Sequence, residues 1–355
     1  MDKKEVKILM CGSKLNVKGG IVSVIKNYLG YQGWGEYTIK YIPTHTEKSK
    51  PIIALFFAFA YFRVVLTALF GNYDVIYLHT AERGSFYRKA MILRTLRKFH
   101  KPVILHHHAA EFELFYQSLS EKKKQYVDET LRRASLNIVL SQRLIPMITE
   151  KSPQASVKVL YNAVATYEKN PYNRDASHVL FLGRLGERKG TYDLLKVIKE
   201  LDASLDPSVK FYLCGDGEVE EVKAKVREYG IKHRILHVGW TDGEQKKAFF
   251  RETMINVLPS YNEGLPMTIL ETMAYGIPNI STNIASIPEV IREGENGYMI
   301  TPGDTQALSE KLLMLSRDKE LRIRLSEQAE ADIKSGFSLD HHITVLKGYI
   351  DSLLS

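Results

Sequence analysis

Residues 255–271 read Ile-Asn-Val-Leu-Pro-Ser-Tyr-Asn-Glu-Gly-Leu-Pro-Met-Thr-Ile-Leu-Glu, and this stretch decides the fold. Ile255–Leu258 is an apolar run of strand length, closed by Pro259. Pro266, followed by a periodic run through Tyr275, marks a helix start. A strand that passes through a short polar loop into a helix is half of a βαβ unit. The N–H groups of that first turn have no partner within the helix and suit an anion. Two carboxylates bracket the turn: Glu263 before it and Glu271 one turn inside. Ionised carboxylates accept hydrogen bonds, which suits the hydroxyls of a sugar and a ribose, and one held near an anomeric carbon stabilises developing positive charge. Spacing alone also allows a plain loop glutamate and a solvent-facing helical one.

The same alternation extends in both directions. The strand candidates of the first half are Val6–Cys11, Tyr37–Ile42, Val75–Leu78, Val103–His107, Leu136–Leu140 and Val157–Tyr161. Those of the second half are His178–Leu182, Lys210–Cys214, Ile235–Val238, Ile255–Leu258, Pro278–Ser281 and Gly297–Ile300. Helical patterns separate them, among them Ile21–Leu29, Phe86–Lys98, Lys122–Ala134, Tyr192–Leu201, Gly217–Tyr229 and Thr268–Tyr275. Such alternation predicts an α/β chain of two doubly wound, Rossmann-like parallel sheets facing each other across a cleft, with ligands beyond the carboxyl ends of the strands. A length of 355 residues fits two domains. The expected boundaries are residues 1–165 for the first domain, a polar linker at 166–177, a second domain at 178–335 and a terminal helix at 336–355.

Three other stretches carry chemistry. Arg184 and Lys189 lie on the glycine-containing loop 183–190, after one strand and before a helix, where two cations can neutralise a diphosphate. Lys18-Gly19-Gly20 follows the first strand, and consecutive glycines let backbone approach a ligand closely. This is not Gly-x-Gly-x-x-Gly, and no acidic residue closes the second strand near Ile42, so a dinucleotide dehydrogenase is disfavoured. In His106-His107-His108, alternation puts His106 and His108 on one face and His107 on the other. His108, at the carboxyl end, is the one placed to meet a ligand. No metal-ligand spacing accompanies the three histidines, and no metal site is expected.

The formal charge of +8 is unevenly spread. Residues 1–165 hold 25 Lys and Arg against 12 Asp and Glu, and residues 166–355 hold 24 against 29. A basic first half suits an anionic partner, such as a membrane surface or a lipid diphosphate. Nucleic acid is disfavoured, since no helix-turn-helix, zinc or aromatic-basic platform is present. Residues 52–70 are apolar apart from Arg63 and Thr67, enough for a helix of about 29 Å at about 1.5 Å per residue. This reads as a buried or interfacial helix rather than a membrane span. Cys11 and Cys214 read as buried free thiols. No signal peptide is visible, and a cytoplasmic location is expected, with peripheral contact on the inner face of the membrane.

Together these motifs resemble retaining glycosyltransferase family 4, glycosyl transferases group 1, with the GT-B fold. Gly183-Arg184-Leu185 with Lys189-Gly190 is similar to the family's basic loop. Glu263 and Glu271 stand as Glu-x7-Glu within Pro-Ser-x-x-Glu-Gly-x-Pro. Gly215-Asp216-Gly217, Ala274-Tyr275-Gly276-Ile277-Pro278, Ile287-Pro288-Glu289, Gly294-Glu295-Asn296-Gly297 and Pro302-Gly303-Asp304 continue the likeness. The likeness is thinner in the first half, where Lys18-Gly19-Gly20, His108, Ser141 and Asn162 carry it. Asn162-Ala163-Val164-Ala165 departs from the family's Asn-Gly-Val-Asp, and Glu271-Thr272-Met273-Ala274 from its Glu-Ala-Met-Ala.

The resemblance implies roles. Arg184 and Lys189, with Gly264 and the N–H groups of Met267 and Thr268, would hold the donor diphosphate. Glu271 would bind the ribose, and Glu263 the sugar near the reacting centre. Gly19 and Gly20 would approach the phosphate or sugar, and His108 would contact the transferred sugar. Trp240-Thr241 would pass the base. The implied reaction moves a sugar, with retention and without a metal or other cofactor, from a nucleotide-diphosphate donor (UDP before GDP) to a saccharide or lipid-linked acceptor. The amphipathic end of the chain would either cross back to the first domain or pack on its own. A two-lobed solute-binding or sensor module, and a nucleotide-sugar epimerase of the same fold, are the alternatives.

Overall fold

The computed structural model describes residues 5–355. It divides into two compact units, one of residues up to 163 together with 339–355, the other of residues 164–338.

The first unit holds strands β1 (Val6–Ser13), β2 (Tyr37–His45), β3 (Val75–Thr80), β4 (Val103–His107), β5 (Leu136–Val139) and β6 (Val157–Val159), in the order β2-β1-β3-β4-β5-β6. Every pairing is parallel. β3 and β4 are buried along their whole length, as strands covered by helices on both faces must be. The order reverses between β1 and β3, and Lys18-Gly19-Gly20 leaves β1 at that point.

The second unit holds β7 (His178–Leu182), β8 (Phe211–Cys214), β9 (Ile235–Gly239), β10 (Thr253–Leu258), β11 (Asn279–Thr282) and β12 (Gly297–Ile300), in the order β12-β11-β10-β7-β8-β9. These pairings are also parallel. The order reverses between β7 and β10, where a doubly wound sheet opens its ligand crevice. Both expected parallel sheets are therefore present, six strands each. Cys11 and Cys214 are buried free thiols on β1 and β8. Burial pushes each up to about 12.

One stretch differs from its sequence reading. Residues 166–177 have a linker's composition but pack on the second unit. The Tyr172 hydroxyl donates to the Met254 carbonyl at 3.0 Å, Asn173 to Arg251 at 2.9 Å, and the Asn170 amide to the Ser326 hydroxyl at 3.1 Å. Their polarity is satisfied by protein rather than by water. The apolar helix, read as buried or interfacial, runs Lys50–Phe70: Phe57, Ala60, Val64 and Ala68 face the core, while much of the rest is exposed.

The terminal helix Leu339–Leu354 belongs to the first unit. Its buried His342 accepts from the Tyr28 hydroxyl at Nε2 and donates from Nδ1 to the Tyr161 carbonyl, each at 2.6 Å. Tyr349 donates to the Val159 carbonyl at 2.8 Å.

Candidate functional site

In the second unit, two loops meet at the carboxyl ends of β7 and β10. The first contains the short turn Glu187–Lys189 and then Gly190, whose φ of 70° is left-handed. The second runs from Pro259 into the helix Met267–Ala274. Backbone joins them: the Tyr261 N–H donates to the Arg188 carbonyl at 2.9 Å. A Cβ at Gly190 would lie 2.1 Å from the Pro259 carbonyl oxygen, so only glycine permits this approach. Gly190→Ala is expected to destabilise the unit by about 2 kcal/mol or more. It should also push the two loops apart; a melting temperature equal to wild type would contradict this.

Between the loops, Lys189 Nζ donates to Glu263 Oε1 at 2.5 Å. The side chains are 14% and 5% exposed, so this ion pair is largely withdrawn from water. The Ser260 hydroxyl donates to the same oxygen at 2.7 Å. Gly264 is buried directly after Glu263. The helix Met267–Ala274 has no side-chain cap, which leaves the N–H groups of Met267 and Thr268 uncommitted to one. Thr268 Oγ1 donates to the Leu182 carbonyl at 2.9 Å and pins the helix start to the end of β7.

Two further ion pairs flank this centre. Arg184, exposed, lies 3.4 Å from Asp216. Half-buried Glu271 accepts from Lys246 Nζ at 2.9 Å. Arg184, Lys189, Glu263, Gly264, Met267, Thr268 and Glu271 thus all belong to this end of one sheet. Glu271 is neither free nor fully in solvent. Sequence reasoning missed Ser260 and Lys246 and gave Asp216 no charge role. Lys246 lies on the helix Gly243–Glu252, whose start was legible as the capping box Asp242–Gln245. Nothing in sequence spacing pairs it with Glu271. Trp240, half exposed, follows β9.

The first unit has its own cluster at the ends of β3 and β4. Register sets His79 beside His106. His79 Nδ1 and His108 Nε2 are 2.9 Å apart, and ring nitrogens of His79, His106 and His108 all lie within 4.8 Å of one another. His107 faces the other way, onto Asn137. The alternation in the sequence thus gave the correct faces, but it missed His79, which comes from the neighbouring strand and supplies the third ring. Burial, then neighbouring charge, holds His79 and His106 well below the ordinary histidine value and His108 at about 3.

Neutral rings fix their tautomers through a chain of bonds. Since His342 Nδ1 donates to a carbonyl, its Nε2 accepts from Tyr28. Tyr28 then accepts from Tyr77 at 3.3 Å, and Tyr77 accepts from His106 Nδ1 at 2.7 Å. His106 Nε2 is left with a lone pair, buried and without a hydrogen-bond partner among the described residues. Gly19 has φ 132° and open space above its Cα, and both Gly19 and Gly20 are exposed at the start of the helix Gly20–Gly30.

Known proteins resemble this chain in sequence and in fold. A protein of the cps region of Klebsiella pneumoniae is 26% identical over 260 residues, 70% of each chain. An alpha-1,4-N-acetyl-D-galactosaminyltransferase of Campylobacter jejuni, named for a diNAcBac-PP-undecaprenol-linked acceptor, is 31% identical over 46% of this chain and 45% of its own. The match thus spans less than half of that enzyme. The Anabaena protein HepE, crystallised with UDP-glucose, superposes with a TM-score of 0.75 at 19% identity, covering 98% of this chain and 99% of its own. The two six-stranded parallel units are those of the GT-B fold. Residues 164–332 match the family described as glycosyl transferases group 1. This match takes in nearly the whole of the second unit, a little under half of the chain, and the second unit is that of a group 1 glycosyl transferase.

Proposed function

We propose that this chain is a cytoplasmic retaining glycosyltransferase that moves a sugar from a UDP-sugar to a lipid-linked or growing surface saccharide. The observation that carries the reading is the buried Lys189–Glu263 pair beside an uncapped helix start, at the strand-order reversal of the second sheet. Three cations at this edge are matched by carboxylates: Lys189 by Glu263, Arg184 by Asp216, Lys246 by Glu271. An entering diphosphate exchanges partners. Lys189 and Arg184 turn to the phosphates, joined by the N–H groups of Met267 and Thr268. Glu263 and Glu271 are released to accept bonds from sugar and ribose hydroxyls.

These cations and dipoles stabilise the leaving diphosphate without calling on a metal. Glu263, held by Ser260 and Lys189, stabilises positive charge at the anomeric carbon, and the departing phosphate takes the acceptor proton on the same face. The second unit holds the donor and the first the acceptor. Gly19 and Gly20 allow close approach to the phosphate or sugar, and His108 meets the transferred sugar. The lone pair on His106 Nε2 adds an acceptor of the kind a sugar hydroxyl satisfies. The UDP-glucose of the Anabaena neighbour supports a UDP donor, and the undecaprenol-linked acceptor named for the Campylobacter relative supports a lipid-linked one.

Thermal stability against a nucleotide panel tests this. UDP at about 100 times its dissociation constant is expected to add about 2.7 kcal/mol, a rise of several degrees, with GDP weaker and NAD or free sugars inert. Glu271→Ala is expected to remove the response. A folded protein indifferent to every nucleotide would refute the reading.

A further inference from the structure

The helix Lys50–Phe70 carries two apolar stripes. One, with Phe57, Ala60, Val64 and Ala68, is part of the first unit's core. The other, with Ile52, Leu55, Phe59, Phe62, Leu66 and Phe70, follows spacings of three and four residues and is 49–79% exposed. A contiguous apolar surface on one helix face marks an interaction site. Its electrostatic setting is cationic. No Asp or Glu occurs between Glu47 and Asp74, while Lys48, Lys50 and Arg63 do. Lys14 Nζ sits 4.7 Å from the Phe56 ring. The neighbouring helix Gly84–Lys98, tied on by the Tyr61–Thr95 hydrogen bond at 2.7 Å, ends in Arg97 and Lys98.

We infer that this outward stripe docks the first unit flat on an anionic lipid bilayer, with the aromatic and aliphatic side chains in the acyl boundary and the flanking cations at the headgroups. This rests on the reading of the chain as an enzyme of lipid-linked acceptors. The helix is long and apolar enough to span a membrane, but spanning would strip Phe57, Ala60, Val64 and Ala68 from the core. Pairing with a second copy would bring two acid-free helices together, cations with no carboxylate to meet them.

The test is flotation of the purified full chain with phosphatidylcholine vesicles, with and without phosphatidylglycerol. Wild type is expected to prefer the anionic vesicles by about tenfold or more and to release in high salt. Phe59→Ser/Phe62→Ser/Leu66→Ser, on exposed positions, and Lys48→Glu/Lys50→Glu/Arg63→Glu are each expected to lose about tenfold or more of that binding. Both should keep the wild-type melting temperature and UDP response. Binding of wild type to neither vesicle, or undiminished binding by the triple-serine variant, overturns the inference. So does a dimer by light scattering that the same variant dissociates. Vesicle binding needs no nucleotide, so its failure and that of the donor site are read separately.

Discussion

Lys189→Met is expected to lower sugar transfer by about 10²–10³-fold and the stability of the second unit by about 3–5 kcal/mol. Two separate effects act. The rate falls because a preorganised cation beside the leaving diphosphate is gone. Stability falls because Glu263, buried and bonded only by Ser260 thereafter, keeps a charge with no counter-ion. The double variant Lys189→Met/Glu263→Gln separates them. Removing both charges restores most of the stability, since a buried pair contributes little net over neutral groups. It does not restore transfer. Denaturant melts and donor-hydrolysis rates on the four proteins of the cycle measure both. Full recovery of the rate in the double variant would mean that the pair only holds the loops. A single variant as stable as wild type would mean that water reaches Glu263.

The first unit is expected to lose at least about 4 kcal/mol of stability between pH 7 and pH 5, while the second changes little. Its buried histidines, and the half-buried His108 against them, resist protonation. Burial, followed by neighbouring charge, holds His108 at about 3, and burial foremost holds His107 and His342 at about 4, against an ordinary value of 6.5. Above pH 6.5 these rings are neutral in folded and unfolded chains alike, and their contribution to stability is complete. As pH falls below 6.5 the unfolded chain takes up protons that the folded one refuses. Stability is lost steadily until the folded values near 3–4 are reached. At pH 5 each such ring accounts for roughly 2 kcal/mol, and the touching rings titrate as a group rather than independently. The chain through Tyr28 and Tyr77 adds to this, because a protonated His342 could no longer accept from Tyr28. Calorimetry from pH 8 to pH 5 should show the lower-pH transition moving for one unit alone. A flat profile over that range would mean that the cluster is open to solvent protons.

The fold was legible because strand runs such as Val75–Leu78 and Ile255–Leu258 are short, β-branched and bounded by turn residues. All twelve strand candidates correspond to strands, with no end displaced by more than three residues. The grouping of the candidate site was legible for a related reason: Arg184, Lys189 and Glu263 lie on the loops after β7 and β10, and Glu271 on the helix that follows, so sequence order alone places them at one edge. What sequence could not give were partners set by sheet order. His79 joins His106 and His108 because β3 and β4 are neighbours, and Lys246 reaches Glu271 from a separate helix. The polar stretch 166–177 misled because composition records a need for hydrogen bonds, not whether water or protein meets it. The helix Lys50–Phe70 was legible only as buried or interfacial, since apolarity on all sides does not say which stripe the core takes.

The first unit is interrupted. Its last sixteen-residue helix, which caps Tyr28 and Tyr161 through His342, is made only after the entire second unit. At about 5–20 residues per second, the ribosome needs roughly 10–35 s to synthesise the intervening 175 residues. Throughout that interval the amino-terminal portion waits, its buried phenols unclosed and its seam for the missing helix open to chaperones. Biogenesis therefore runs against chain order: the later-made portion can mature first, and the earlier-made one is sealed by a helix that is synthesised only after it.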